Sequence, residues 1–511
     1  MLAQVLSGAV LGVDAYIVRV EADIANGLPS MTVVGLPENS VREGRERVTA
    51  ALANAGYTLP PRRITINLAP ADVPKHGSAF DLPLAIALLA ANGIIAAASL
   101  DGVCLIGELG LDGEVRPVRG VLPLAVCCRD AGVKALVVPV ANGREASIVD
   151  GLTVLQAGSL EAVVRHFRGQ PCLARPPAAC AASIEPIESG LDYADVKGHA
   201  HARRALEIAA AGQHNMLLIG PPGSGKSMLA RRLPTILPPL TREEAIEVTK
   251  ISSVAGRLRP GGGLVTTRPF RAPHHTVSDA GLVGGGAIPR PGEVSLAHRG
   301  VLFMDELPEF RRHVLEALRQ PIEDGLVHLG RSRQSITYPA RFMLVAAMNP
   351  CPCGFFGSES AQCICHNGAV QRYRSRVSGP LLDRIDLHID VPALDERHLT
   401  SEWPSESSAS VRARVAAATD RQLQRFRDRG GIFANAQMGP QEIRRHCAID
   451  AAAESLLHGA IRRIGLSARA YHRVLRLART IADLEGQDRM MAAHIAESIQ
   501  YRSWDRMTVR R

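Results

Sequence analysis

The chain has 511 residues, too many for a single hydrophobic core at about 150 residues per domain. Hydrophobic residues at 46% and charged residues at 21% describe an ordinary globular composition, and no apolar run reaches the roughly 18 residues that a membrane helix needs. The net charge of +9 favours an anionic partner such as nucleic acid, while only 4% aromatics exclude base stacking as the main grip and leave phosphate contacts to do it.

The first basic residue is Arg19, so no secretion signal is expected, and ten cysteines, four of them clustered, suggest a reducing compartment. A cytoplasmic location and no membrane association are expected. Residues 1–168 alternate short β-like runs with helical ones. Ile64–Leu68 and Ala135–Pro139 read as strands, and Leu82–Ala91 reads as a buried helix. Residues 169–190 carry Pro171, Pro176, Pro177 and Pro186 among alanines, a composition expected of a linker.

From Leu191 to about residue 395 the pattern is that of a parallel α/β domain. Gly220-Pro221-Pro222-Gly223-Ser224-Gly225-Lys226-Ser227 fits the phosphate-binding loop G-x-x-x-x-G-K-[ST] at every fixed position. An apolar strand precedes it, and a helix start is predicted from Met228. The glycines let backbone N–H groups turn toward phosphate oxygens, Lys226 reaches the β- and γ-phosphates, and Ser227 holds Mg²⁺. ATP and Mg²⁺ are therefore the expected ligands. Downstream, Gly300–Met304 is an apolar strand that ends in Asp305 and Glu306. Asp305 is suited to the Mg²⁺ shell and Glu306 to polarising the attacking water. A third strand, Phe342–Met348, ends in Asn349. That amide either orients the water or simply starts an Asn-Pro turn.

Cys351, Cys353, Cys363 and Cys365 give C-x-C-x₉-C-x-C, a set able to surround Zn²⁺. Free thiols and, less in keeping with a reducing compartment, disulfides are the competing readings, because the commoner zinc spacing is C-x₂-C. Arg384 lies far in sequence from the phosphate loop. It serves either a neighbouring subunit's nucleotide or an ion pair with Asp383 or Asp386. Beyond a second polar break, residues 396–511 look all-α, with helices predicted over Val411–Arg427 and Ala468–Leu484. Arg469, Arg473 and Arg476 lie on the latter helix. One of them could touch nucleotide, or all three could form a solvated basic face.

Taken together, Gly220–Ser227, Gly300–Leu307, Tyr338–Phe342, Ala347–Gly354, Ser378–Asp386 and Ser467–Tyr471 resemble the AAA+ ATPases, and more narrowly the ComM/YifB family of magnesium-chelatase-like ATPases. The resemblance implies Walker A and Walker B roles for the loop and the acid pair. It also implies sensor 1 at Asn349, an arginine finger at Arg384 and sensor 2 at Arg469. It further implies a homohexameric ring acting on single-stranded or branched DNA, as a branch-migration helicase in natural transformation. A protein-remodelling motor of the chelatase type is the alternative. Arg268 and Arg271, in a glycine- and proline-rich segment that matches a family insertion, are expected DNA contacts. So are Arg331 and Arg333, at the tip of a predicted hairpin.

Residues 1–168 resemble the Lon-type protease domain found also in RadA-like recombination proteins. An ungapped match over Pro74–Asp81 puts Ala79 where the nucleophilic serine belongs, with Ser78 one residue away. The lysine base falls on Leu122. The resemblance thus implies a pseudo-protease.

Overall fold

A computed structural model describes residues 2–502 except 74, 178–189, 260, 287–288, 331–334, 358–361, 394–405, 430 and 465–467. The first 168 residues build one seven-stranded mixed sheet. Its strands are β1 (Leu2–Leu11), β2 (Asp14–Ala25), β3 (Ser30–Val34), β4 (Arg63–Ala69), β5 (Val103–Leu105), β6 (Ala135–Pro139) and β7 (Thr153–Ala157). Their spatial order is β3-β4-β2-β1-β5-β6-β7. β1 and β2 form a long antiparallel hairpin, while β5, β6 and β7 run parallel to one another. Helix Asp81–Ala91 has every residue buried, as expected of its unbroken apolar run. Residue 174 pairs with Gln156, so the start of the proline-rich segment lies against the β7 edge.

The second sheet positions the candidate site. It contains β8 (Met216–Ile219), β9 (Phe270–Arg271), β10 (Val301–Met304), β11 (Met343–Met348) and β12 (Leu387–Asp390), in the order β9-β10-β11-β8-β12. Every neighbouring pair is parallel. Strands β8, β10 and β11 are buried at every position, which is why they read as continuous apolar runs rather than alternating ones. All carboxyl ends therefore face one edge of the sheet, and all amino ends the other.

Among the described residues from 406 onward the regular elements are helices, including Ser408–Phe426, Ala451–Ile464, Ala468–Leu484 and Ala492–Gln500. Helices Ser408–Phe426 and Ala468–Leu484 pack against the central sheet's helix Ala200–Gly212, where Gln422 Nε2 donates to Ala211 O at 2.9 Å. The chain then returns to β12, with His388 N donating to Tyr501 O at 2.7 Å.

The two sheets meet along a seam. Ser253 Oγ hydrogen-bonds the buried Glu145, whose carboxylate also accepts from Leu122 N at 2.9 Å. Leu11 and Val13, at the β1–β2 turn, pack into the core beneath the hairpin Leu326–Gly330/Ser335–Pro339.

Candidate nucleotide site

Gly225 adopts φ +84°, a left-handed conformation that costs glycine little, and this turns the loop into helix Lys226–Ile236. The helix starts two residues earlier than the sequence suggested. Its first residue is the key lysine. Lys226 Nζ donates to Gly220 O and Pro221 O, each at 2.8 Å, and lies 3.4 Å from Ser224 Oγ and 3.3 Å from Asn349 Oδ1. Burial pulls its pKa below the ordinary lysine value, partly opposed by the charge of Asp305. The ammonium is thus almost enclosed and held by neutral oxygens, which phosphate oxygens would outcompete.

Ser227 Oγ donates to Asp305 Oδ2 at 2.7 Å. This pairs a hydroxyl and a carboxylate at one point, the donor set a Mg²⁺ ion takes beside phosphates. Asp305 Oδ1 accepts from the backbone N–H of Glu306 at 2.9 Å. Glu306 has φ +51°, an uncommon conformation for a residue with a Cβ, and its carboxylate is exposed at the strand end. His275 Nδ1 stands 3.6 Å from Glu306 Oε2. Nothing in the sequence pattern singled out His275. Its placement depends on the turn that follows the two-residue strand β9.

The structure therefore brings Lys226, Ser227, Asp305 and Asn349 to one point, at the carboxyl ends of β8, β10 and β11, with Glu306 beside them. Arg384 is elsewhere. Asn215, immediately before β8, donates through Nδ2 to Arg384 O at 3.1 Å, which fixes Arg384 at the amino edge of the sheet. Its guanidinium donates to Pro380 O at 2.7 Å and pairs with Glu323, so neither Asp383 nor Asp386 is its partner. It lines a cavity of about 490 Å³ shared with Arg341, Arg469, Arg473 and Arg476. Arg469 is thus gathered with Arg384, not folded over its own chain's phosphate loop. In the sequence, Arg341 stands out only as a member of the family-like stretch Tyr338–Phe342. The missed signal was its position two residues before a parallel strand, much as Arg384 stands three before another.

The remaining expected site residues divide. The guanidinium of Arg268 is spent internally: it donates to Pro238 O at 2.6 Å, to Arg299 O at 2.8 Å and to Glu244 Oε2 at 3.1 Å. Arg271 forms a two-pronged pair with Glu293 at 2.6 and 2.9 Å. Both arginines brace the segment that carries them. Arg331 and Arg333 lie outside the described residues, although the hairpin below them is present. The four cysteines Cys351, Cys353, Cys363 and Cys365 converge, their sulfurs all within 4.8 Å of one another. In the first unit, Ser78 Oγ hydrogen-bonds Glu108, Leu122 is fully buried, and Ser78 and Ala79 line a cavity of about 450 Å³ at the seam. Beside it, Lys75 is buried and its Nζ donates to Pro70 O.

A lysine-bearing glycine loop on an inner strand of a parallel sheet, with an acid pair two strands away, defines a P-loop nucleotide-binding module. Three family models match the chain: "Subunit ChlI of Mg-chelatase" over residues 20–142, "Magnesium chelatase, subunit ChlI" over 192–399, and "Magnesium chelatase, subunit ChlI C-terminal" over 405–502. YifB of Escherichia coli K12 is 46% identical over 98% of this chain and 97% of its own. Competence protein ComM of Haemophilus influenzae Rd is 45% identical over 99% and 98%. The magnesium-chelatase 38 kDa subunit of Rhodobacter capsulatus is 30% identical over 34% of this chain and 53% of its own. The chain belongs to the ComM/YifB family of magnesium-chelatase-like AAA+ proteins.

Proposed function

We propose that this protein is a ring-forming ATPase that moves DNA, acting as a branch-migration helicase on recombination intermediates during natural transformation. The observation that carries the ring is the separation of Arg384 from Lys226. A finger at the amino edge of one subunit reaches a nucleotide only on a neighbour. The observation that carries the process is full-length similarity to a protein named for competence.

The residues fit the ligands. Lys226 and the loop N–H groups bind the phosphates, and Ser227 with Asp305 holds the metal. Bound Mg²⁺ would neutralise charge on the phosphate oxygens. Glu306 accepts the proton of the attacking water, and Asn349 orients that water from β11. Arg384 of one subunit and Arg469 beside it stabilise charge on the next subunit's γ-phosphate. The four cysteines hold a structural zinc. The first unit is a Lon-like pseudo-protease that assists ring assembly or DNA binding. Peptide cleavage lost in Ser78→Ala would overturn its reading as inactive.

The magnesium-chelatase matches favour a second reading, a motor that remodels a protein partner. Purified protein separates the two. A DNA motor hydrolyses ATP faster with branched or single-stranded DNA and moves a branch point. ATPase indifferent to DNA, with no strand movement, would overturn the DNA reading.

A further inference from the structure

The cysteine cluster lies against the nucleotide loop, and this contact has no place in the phosphate chemistry. The sulfur of Cys351 stands 3.3 Å from that of Cys353 and 3.7 Å from that of Cys363, while Cys353 and Cys363 are 3.5 Å apart. Four thiolates at about 2.3 Å from a tetrahedral zinc would have sulfurs about 3.8 Å apart, so only small shifts separate the cluster from that geometry. Cys351 is fully buried. Its sulfur accepts from Phe356 N at 3.3 Å, and that of Cys363 accepts from Cys365 N at 3.4 Å, the kind of N–H···S bond that orients a thiolate ligand.

Two rigid links run from this knuckle to the nucleotide site. The first is Gly354, one residue past a cysteine. It is buried with φ +89°, and a Cβ placed on it would stand 2.5 Å from Pro222 Cδ and 2.7 Å from Pro222 Cγ. Glycine is thus required twice, by conformation and by the close approach of the phosphate loop. The second is covalent. Cys351 follows Pro350 and Asn349, and Asn349 Oδ1 is the side-chain oxygen 3.3 Å from Lys226 Nζ. Arg374 closes the arrangement from outside, donating to Pro350 O at 3.1 Å and lying 5.0 Å over the Phe356 ring.

We propose that zinc bound by Cys351, Cys353, Cys363 and Cys365 positions the phosphate loop, through Gly354 against Pro222 and through Asn349 against Lys226. The metal is then a positioning element of the ATPase as well as a fold brace. This rests on the phosphate loop being the nucleotide site. Without the metal, Cys351 and Cys353 lose their tie to Cys363 and Cys365, Pro222 loses its backing, and the phosphate loop loses more conformational entropy on binding phosphate.

The test uses the full-length protein, metal analysis and a fluorescent ATP analogue. Wild type is expected to carry about one zinc per chain. Cys363→Ser/Cys365→Ser should lose the zinc and bind the analogue about tenfold more weakly, the scale seen when a group supporting a metal ligand is removed. Gly354→Ala should keep its zinc and show a similar loss, since the added methyl pushes on Pro222. Should the double serine variant fail to fold, Gly354→Ala decides. Unchanged analogue affinity in zinc-stripped protein or in Gly354→Ala, with Lys226→Ala still failing to bind, overturns the coupling and leaves the nucleotide site intact. Wild-type affinity in Lys226→Ala overturns both. Zinc content unchanged in the double variant overturns the ligand set.

Discussion

The two edges of the core sheet are built from the same strands and serve opposite purposes. At the carboxyl edge, side chains converge: Lys226 lies 3.3 Å from Asn349, and Ser227 lies 2.7 Å from Asp305. At the amino edge, five arginines and three acids, Glu323, Asp324 and Asp386, line a cavity of about 490 Å³. One edge can hold a triphosphate but offers little positive charge beyond Lys226. The other offers cations with no phosphate loop near them. Under the proposed ring, the amino edge of one copy faces the carboxyl edge of the next. The difference teaches that the phosphate loop and the arginine cluster lie at opposite ends of the same strands.

The largest effect expected of any single change falls at the carboxyl edge. Lys226→Ala should abolish nucleotide binding, because Lys226 is the ammonium seated on the loop carbonyls. Glu306→Gln should bind normally and turn over about 10²- to 10⁴-fold more slowly, the usual worth of a positioned general base. Binding of a fluorescent ATP analogue alongside phosphate release separates the two. Equal loss of affinity in both variants would break the division of labour within this edge.

Next in size comes the opposite edge. Arg384→Ala should bind ATP and hydrolyse it about 10³-fold more slowly. Mixed with Lys226→Ala, it should recover part of the activity that each lacks alone, since some interfaces then pair an intact loop with an intact arginine. An active assembly with Arg384 beside its own chain's Lys226 would collapse the comparison.

Legibility in the sequence followed the same division. The carboxyl edge was readable because its residues are tied to strand ends by short spacings: the loop follows β8, the acid pair follows β10, and Asn349 follows β11. Apolar runs located those strands, and helix Ala468–Leu484 matched its predicted bounds. The amino edge was harder. Arg341, Arg384 and Arg469 meet only through tertiary packing, and no spacing announces that. The fates of Arg268 and Arg271 were hidden for the same reason. Their partners Pro238, Arg299 and Glu293 lie 22 to 31 residues away along the chain, so no local spacing announces the pairs.

A smaller effect tests whether the amino edge is held together by buried charge. Burial alone would raise the pKa of Asp386, but the hydrogen bond from His214, with the charges of Arg473 and Arg476, holds it down to about 2. A carboxylate depressed on folding contributes stability that is fully present above its ordinary value of 3.8 and is lost as pH falls through 2. Across that window the loss should be on the order of 2 kcal/mol. Asp386→Asn should flatten the acid limb of a stability-against-pH curve between those values. An unchanged limb would mean that this network contributes nothing to the edge.

The finest distinction lies within one helix. Arg473 donates to Ile385 O at 3.2 Å and stands 3.6 Å from Asp386, and Arg476 donates to Ala436 O at 3.0 Å. Both are committed to the fold. Arg469, a turn away, is exposed and makes no ion pair among the described residues, yet it lines the cavity that holds Arg384. A guanidinium that waits for a neighbour's phosphate should affect turnover and leave the isolated chain's stability alone. Removing one charge-assisted hydrogen bond costs about 1.5 kcal/mol, or roughly tenfold in rate. Arg469→Ala should therefore slow hydrolysis about tenfold with an unchanged melting temperature, whereas Arg473→Ala should lower the melting temperature. The measurement is a pair: ATPase rate in the assembled state and thermal unfolding of the same preparation. Wild-type turnover in Arg469→Ala, beside a slow Arg384→Ala, would leave Arg384 as the amino edge's sole contribution and make the other arginines its scaffold.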